Sequence, residues 1–486
     1  VTVFRCRSAW LPQGPSGPVE LTTSDGIITA ITPLDAGAWH VPSPGATGPN
    51  PGAADPSPGA AGPTAGAAGA GGAAEVLDGM VFPGFADAHS HVFHRALRGR
   101  THTERDGRPG DFFTWREQMY ALAAQLDPDL LHRLARATYA ELLCAGYTAV
   151  GEFHYLHHQV DGTPYPDPNL LGLRVAEAAD QAGIGLTLLD TLYLAGGFGV
   201  ALQPPQRRFS DGSGAAWAAR VRQLGAELPA GRLAPIRLGL AAHSVRAVPP
   251  GELGTVAGLA AEWDCPVHLH LSEQLQENRD SLAATGKSPT ALAADAGLLG
   301  SRTSVVHATH LTDTDVDRLG AHGVTAVICP TTEADLADGL PDLAALTRAG
   351  VLLACGGDQQ VTVDPFAQAR LLEYGERLRS HRRGNLAPAQ LVAAATEHSH
   401  RSIGSAGGRL VPGAPADLVC VRTDSVRTAG SLPQQLVMAA GSADVQTVVV
   451  GGHVLARNGF HRDLGDPGPL LADVLGELWE RVAAAG

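Results

Sequence analysis

The sequence predicts a distorted (β/α)8 barrel carrying a small β-sandwich domain built from both chain ends. Three observations lead there. Eight apolar, strand-like segments alternate with helical ones over residues 83–408. Histidines and one aspartate gather where those segments end, as at the strand C-termini that form the active face of such barrels. The flanking stretches, 1–82 and 409–486, return to short β-like runs.

In chain order, residues 1–34 mix short apolar and polar stretches: Val1, Val3 and Phe4, then Ile27-Ile28-Thr-Ala-Ile31 after a Ser24-Asp25-Gly26 turn. Residues 41–74 collapse to Gly, Pro, Ala and Ser, with too little apolar surface to offset ordering entropy, and are expected to be a mobile surface loop without chemistry. The strand candidates of the barrel are 81–91, 147–155, 184–194, 236–243, 266–270, 304–307, 324–329 and 351–355. Between the first two, Asp127 and Pro128 supply a helix cap and first turn, 130–144 carries helical periodicity, and Gly146 ends it. After residue 408, Gly413-Ala-Pro-Ala-Asp-Leu-Val-Cys-Val and the run from Val445 read as strands that pair with those of the N-terminus. A last helix is predicted over 469–484.

Composition narrows the function. A chain of 486 residues buries a substantial core, and a formal charge of −14 argues against nucleic-acid or anionic-membrane surfaces. Any anionic ligand must then be met by local arginines. The six cysteines are far apart and include no C-x-x-C pair, so neither a disulfide framework nor a zinc ribbon is indicated. The first residues lack the apolar core of a signal peptide and there is no apolar run of membrane-spanning length, so a cytoplasmic protein is expected. Lys287 is the only lysine.

The chemistry centres on Phe85-Ala-Asp-Ala-His89-Ser-His91-Val-Phe-His94-Arg95. Alternate side chains of a strand share a face, so His89 and His91 can address one ion while Ser90 points away. In Val267-His268-Leu-His270-Leu-Ser-Glu273 the two histidines again share a face, and alternation does not choose between them. The His270-x-x-Glu273 spacing favours His270, because it sets a carboxylate beside the ligand without requiring it to bind metal. His307 ends another strand, and Cys355-Gly-Gly-Asp358 brings a carboxylate after glycines that permit close backbone approach. Three histidines and one aspartate make a nitrogen and oxygen set suited to zinc or a similar divalent ion, with water completing the shell. His154, His157 and His158 form a rival cluster for which the sequence offers no fourth ligand, so core packing or support of the main site is the expectation.

These segments resemble the amidohydrolase superfamily and, within it, the formimidoylglutamate deiminases of histidine degradation, hydrolases of linear amidines. The resemblance spans nearly all of the chain outside the insert. It is carried by His89-Ser-His91-Val-Phe-His94-Arg95, Phe113-Thr-Trp-Arg116-Glu-Gln-Met-Tyr120, Glu152-Phe-His-Tyr155, His243-Ser-Val-Arg246, His268-Leu-His270-Leu-Ser-Glu273 and Cys329-Pro-Thr-Thr-Glu333-Ala-Asp-Leu. It implies that His89, His91, His270 and Asp358 bind one Zn2+ per subunit, with Glu273 and His307, together with Asp358, handling protons. Two-metal relatives use a bridging carboxylated lysine late in the first half of the barrel. Lys287 falls after the fifth strand, so a single ion is expected.

The implied substrate is a small molecule with two carboxylates, N-formimino-L-glutamate, hydrolysed to N-formyl-L-glutamate and ammonia. Arg116 and Arg246 match the carboxylate-binding positions, where the planar fork of arginine gives paired charge-assisted bonds, and Tyr155 and His243 are further donors. His94 stands where many relatives carry glutamine and is expected to touch substrate. Gln359, where a serine is usual, and Asp335, where an asparagine is usual, depart from the pattern without touching a proposed ligand. A homodimer is expected. The competing readings are a mononuclear deaminase of a nucleobase-like ring and a non-catalytic binder of the same ligand.

Overall fold

Strands alternate buried and exposed positions from the outset, Val19, Leu21 and Thr23 facing inward along Val19–Ser24. The computed structural model describes residues 1–35, 74–102 and 112–485; apart from Ala74, the insert predicted over 41–74 lies outside them. The N-terminal strands are β1 (Thr2–Leu11), β2 (Gly14–Pro15), β3 (Val19–Ser24), β4 (Ile27–Pro33) and β5 (Glu75–Pro83). The β3–β4 turn places Asp25 and Gly26 at φ +52° and +77°, the left-handed pair that a tight hairpin needs.

The barrel follows as β6 (Phe85–Ser90), β7 (Tyr147–His154), β8 (Gly185–Leu192), β9 (Ile236–Ser244), β10 (Val267–Leu271), β11 (Thr303–His307), β12 (Thr325–Ile328) and β13 (Leu352–Cys355). They pair in parallel in sequence order. The seam between β13 and β6 is closed by the loop after β13, not by a strand ladder. Asp358 N donates to His89 O (2.7 Å) and His91 N to Asp358 O (2.9 Å). The buried Asp87 carboxylate accepts from Gly357 N and Gln360 Nε2, each at 2.7 Å. This seam is the distortion, and it draws Asp358 against His89 and His91.

The first predicted barrel strand, 81–91, is corrected: it divides at Gly84 into β5, in the small sheet, and β6, in the barrel. A Cβ at Gly84 would lie 2.1 Å from Thr148 Oγ1, so only glycine lets the chain cross between the sheets there. The remaining predicted strands agree with β7 to β13 to within two residues at each end.

At the other end of the chain β14 (Leu418–Val421), β15 (Val445–Val450), β16 (His453–Arg457) and β17 (Phe460–His461) join the N-terminal strands in one mixed sheet. β5 pairs in parallel with β1 on one side and antiparallel with β14 on the other. The sheet curls until Ile28 N reaches Ala414 O (2.9 Å), enclosing a second core of Phe4, Leu21, Ile28, Leu77, Leu418 and Val449. Helix Pro128–Cys144 starts as read, with Asp127 accepting from the Asp129 and Leu130 amides. The last helix, Pro467–Ala485, is tied to it by Arg133 to Glu477 (2.6 Å). All six cysteines are buried and free. Among the described residues no helix is long and apolar enough to cross a membrane.

Small side chains fill the barrel interior, Ala86, Ala88, Ala149 and Ala354 beneath Val306 and Val327, with Ile403 against them. His268 does share the inward face with His270, but it lies deeper and contacts Ser402 O (2.9 Å). Only His270 reaches the rim.

Candidate metal centre and active site

Strand ends aim the key imidazoles, and main-chain carbonyls set their tautomers. His91 donates from Nδ1 to Phe153 O (2.9 Å) and His270 from Nδ1 to His243 O (2.8 Å), so each presents a bare Nε2 lone pair. Those lone pairs converge. His91 Nε2 lies 3.3 Å from His270 Nε2, which lies 3.2 Å from His89 Nε2. Asp358 Oδ1 stands 3.5 Å from His89 Nε2 and 3.4 Å from His91 Nε2. Four acceptors so close repel one another unless positive charge stands among them. Neighbouring donors on one ion with zinc-like bonds of about 2.0–2.1 Å lie about 3.3–3.4 Å apart, close to these four separations. The donor set therefore fits one small divalent cation. Burial pushes His89 down to about 3 and lowers His91 and His270, which keeps the rings in the neutral form that ligates.

Beside this set His307 and Glu273 face each other, Nε2 to Oε1 at 3.9 Å, and His307 Nε2 is 4.0 Å from Asp358 Oδ2. Burial alone would lower His307, but Glu273, a hydrogen bond to Glu333 and the charge of Asp358 prevail and lift it to about 10. Burial raises Glu273 against the pull of His307, whereas His89, His91 and His307 overcome burial at Asp358 and hold it well below the usual carboxylate range. The site thus offers a protonated imidazole, a carboxyl able to hold a proton and an ionised carboxylate around one point. Ser272, His307, Ala308 and Asp358, all at strand ends around it, adopt left-handed backbone (φ +51° to +71°). Such residues cost roughly 1–3 kcal/mol each and persist where surrounding structure holds them in place.

A cavity opens over these groups, lined by every predicted substrate contact: His94, Arg116, Tyr155, His243 and Arg246. His94 Nε2 pairs with the Tyr155 hydroxyl at 2.8 Å. Among the described residues the Arg246 side chain has no hydrogen-bond or ion-pair partner, although Glu273 and Glu277 both act on its charge.

The rival cluster is built differently. His157 Nε2 meets Thr191 O at 2.9 Å and His158 Nε2 meets Asp211 Oδ1 at 3.1 Å. The carboxylates within reach, Asp190 and Asp211, are already held by buried Arg220 through four bonds of 2.8–3.0 Å. Among the described residues none of the groups able to hold a cation includes these histidines. The two departures from the family pattern are partners of each other, Gln359 Nε2 donating to Asp335 Oδ2 at 3.1 Å. Lys287 lies at the surface, paired with Asp295.

Several residues at the site had no role in the sequence reading. Glu333 Oε1 lies 3.4 Å from His307 Nδ1 and accepts Cys329 N at 2.9 Å, fixing the ring of His307. Asp87 closes the seam. Tyr120, Tyr193 and Phe209 line the cavity. Asp87, within β6, and Glu333, in the short helix Pro330–Asp335 after β12, sat inside quoted motifs and could have been flagged as carboxylates there; Tyr193 carried no local signal.

A parallel barrel with a candidate cation site of histidines and an aspartate beside an acid–base pair is the architecture of a metal-dependent hydrolase. The chain belongs to the amidohydrolase family, whose model matches residues 80–455. It is 39% identical over 420 residues to the formimidoylglutamate deiminase of Pseudomonas aeruginosa, covering 83% of this chain and 91% of that protein. It is 29% identical to the 8-oxoguanine deaminase of the same organism, covering 77% of this chain and 81% of that protein. Among solved structures, an amidohydrolase from Brucella melitensis aligns with a TM-score of 0.81 at 31% identity, covering 99% of this chain and 100% of that one. The chain is thus an enzyme of the amidohydrolase deaminases, a hydrolase of C–N bonds.

Proposed function

We propose that the enzyme hydrolyses N-formimino-L-glutamate to N-formyl-L-glutamate and ammonia, as a step of histidine degradation. The observation that carries this is the pair of guanidiniums, Arg116 and Arg246, lining the same cavity as the acid–base groups Glu273, His307 and Asp358. Two carboxylates on one ligand match two guanidiniums in one cavity. The identity to a formimidoylglutamate deiminase supports the same substrate.

In this reading His89, His91, His270 and Asp358 hold one Zn2+. The cation supplies acidification of a water and polarisation of the carbon under attack. Asp358, an ionised carboxylate beside these ligands, would accept the proton that a water gives up on attacking the formimino carbon. His307, held protonated by its carboxylate neighbours, donates to the attacking oxygen. Glu273 holds the amidine nitrogen and passes it the proton with which ammonia leaves. Arg116 and Arg246 clamp the carboxylates, while Tyr155, His94 and His243 orient the chain between them.

A second reading, deamination of a nucleobase-like ring, is favoured by the aromatic wall of Phe112, Trp115, Tyr155 and Phe209 and by the likeness to an 8-oxoguanine deaminase. Incubation of metal-replete enzyme with N-formimino-L-glutamate and with a nucleobase panel separates the two. Ammonia with N-formyl-L-glutamate is expected. Formamide with glutamate would mean that another bond is cleaved, and ring deamination alone would transfer the assignment to the second reading.

A further inference from the structure

The turn Pro204–Phe209, after β8, carries polar groups that the mechanism above does not use. Gln206 is buried, 2% exposed, yet all of its amide is engaged. Its Oε1 accepts the Gln203 N–H at 2.8 Å, which fixes the orientation of the amide, since a main-chain N–H can only donate. Its Nε2 must then face the other way, where it lies 3.0 Å from the Tyr120 hydroxyl and 2.9 Å from the Tyr193 hydroxyl. An amide nitrogen donates and does not accept. Both phenol oxygens are therefore acceptors here, and the phenol protons must be directed away from Gln206.

Both tyrosines line the cavity that also holds Arg116 and Arg246. The tyrosines and the arginines are close enough to act on one another: burial and the neighbouring Tyr120 drive the Tyr193 phenol up, while Arg246 and Arg116 both pull it down. The same turn locks the helix bearing Tyr120 and Arg116 (Phe112–Ala123), because buried Arg208 donates to the carbonyls of Ala123 and Leu126 at its C-terminal end. Phe209 packs between the rings of Tyr155, at 5.0 Å, and Tyr193, at 5.6 Å.

We propose that Gln206 is a positioning residue that poises Tyr120 and Tyr193 to donate their hydroxyl protons to one carboxylate of the substrate, making the two tyrosines specificity-determining contacts alongside the arginines. This rests on the diacid reading of the site. A neutral amide in place of that carboxylate offers one acceptor oxygen instead of two and turns its NH2 toward one of two hydroxyls already committed by Gln206 to donate, so the trio selects against it. Nothing in the trio touches the bond that breaks.

The test uses the metal-replete enzyme, the double variant Tyr120→Phe/Tyr193→Phe and, separately, Gln206→Met, which keeps side-chain length and removes the amide. Each is assayed with N-formimino-L-glutamate and its two monoamides, and glutarate binding is measured by calorimetry. The expected result is a KM for the diacid raised about tenfold or more, since hydrogen bonds to a charged group are lost, with kcat within about threefold of the parent. Discrimination against one of the two monoamides collapses in both variants. An unchanged KM in the double variant, or a parallel fall of kcat for diacid and monoamides with the preference intact, overturns the proposal. Glutarate separates its failure from that of the substrate reading. If the parent does not turn over the diacid but binds glutarate and the variants do not, the tyrosine subsite stands and the substrate falls; if the parent binds no glutarate, both fall.

Discussion

Among the described residues this barrel carries two histidine clusters, and only one of them brings ligand atoms together as a cation site would. His89, His91 and His270 leave their Nε2 lone pairs facing one another and a carboxylate, at 3.2–3.5 Å. In the other cluster His157 and His158 commit their Nε2 atoms to Thr191 O and Asp211, while Arg220 already neutralises both nearby carboxylates. Both groups are buried and both have carboxylates at hand. The difference lies in what remains unsatisfied after folding: converging lone pairs at one place, a closed cation–carboxylate network at the other.

The largest effects should come from the open cluster. Asp358→Asn is expected to retain part of the metal but to lose roughly 10²–10⁴-fold in kcat, as for removal of a proton acceptor, measured by ammonia release alongside metal analysis. Arg220→Met breaks the closed network instead. It strands two buried carboxylates, an effect of about 3–5 kcal/mol in urea unfolding, while the folded fraction should keep its full metal content. Loss of metal in that variant would erase the distinction between the clusters. Arg246→Ala should chiefly raise KM, leaving both clusters intact.

Acid unfolding sharpens the comparison further. Burial would raise both carboxyls, but Arg220 and then His157 at Asp190, and the His158 hydrogen bond and then Arg220 at Asp211, prevail and hold them below their ordinary range. Their folded-state values are depressed, so their contribution to stability is fully present above the unfolded value of about 3.9 and is lost as pH falls below about 4 through the folded values. Unfolding followed between pH 6 and pH 3 should therefore steepen below about pH 4 in the parent, and less so in Arg220→Met. The smallest effect is expected for His158→Gln, about 1 kcal/mol for one hydrogen bond, with activity and metal unchanged.

The sequence made the open cluster legible because its members stand at strand ends with period-two spacing or beside glycines, and strand alternation is a local rule. His268 shows its limit: the rule gave the right face, but depth along the barrel depends on how far β10 has run, and that separated it from His270. The break at Gly84 was hidden because its cause, Thr148, lies 64 residues away in sequence. Asp87 and Glu333 act through bonds that exist only once the barrel closes, onto Gly357 and His307 respectively. Gln359 and Asp335 read as separate departures and became a pair only in the fold.

The most direct test is a titration. Enzyme stripped of metal is reloaded with zinc while bound metal and ammonia release from N-formimino-L-glutamate are followed together. Activity should rise in proportion to bound zinc and level off at about one ion per chain, as a single set of ligands requires. Full turnover by the stripped protein, or activity that needs a second ion, would contradict it.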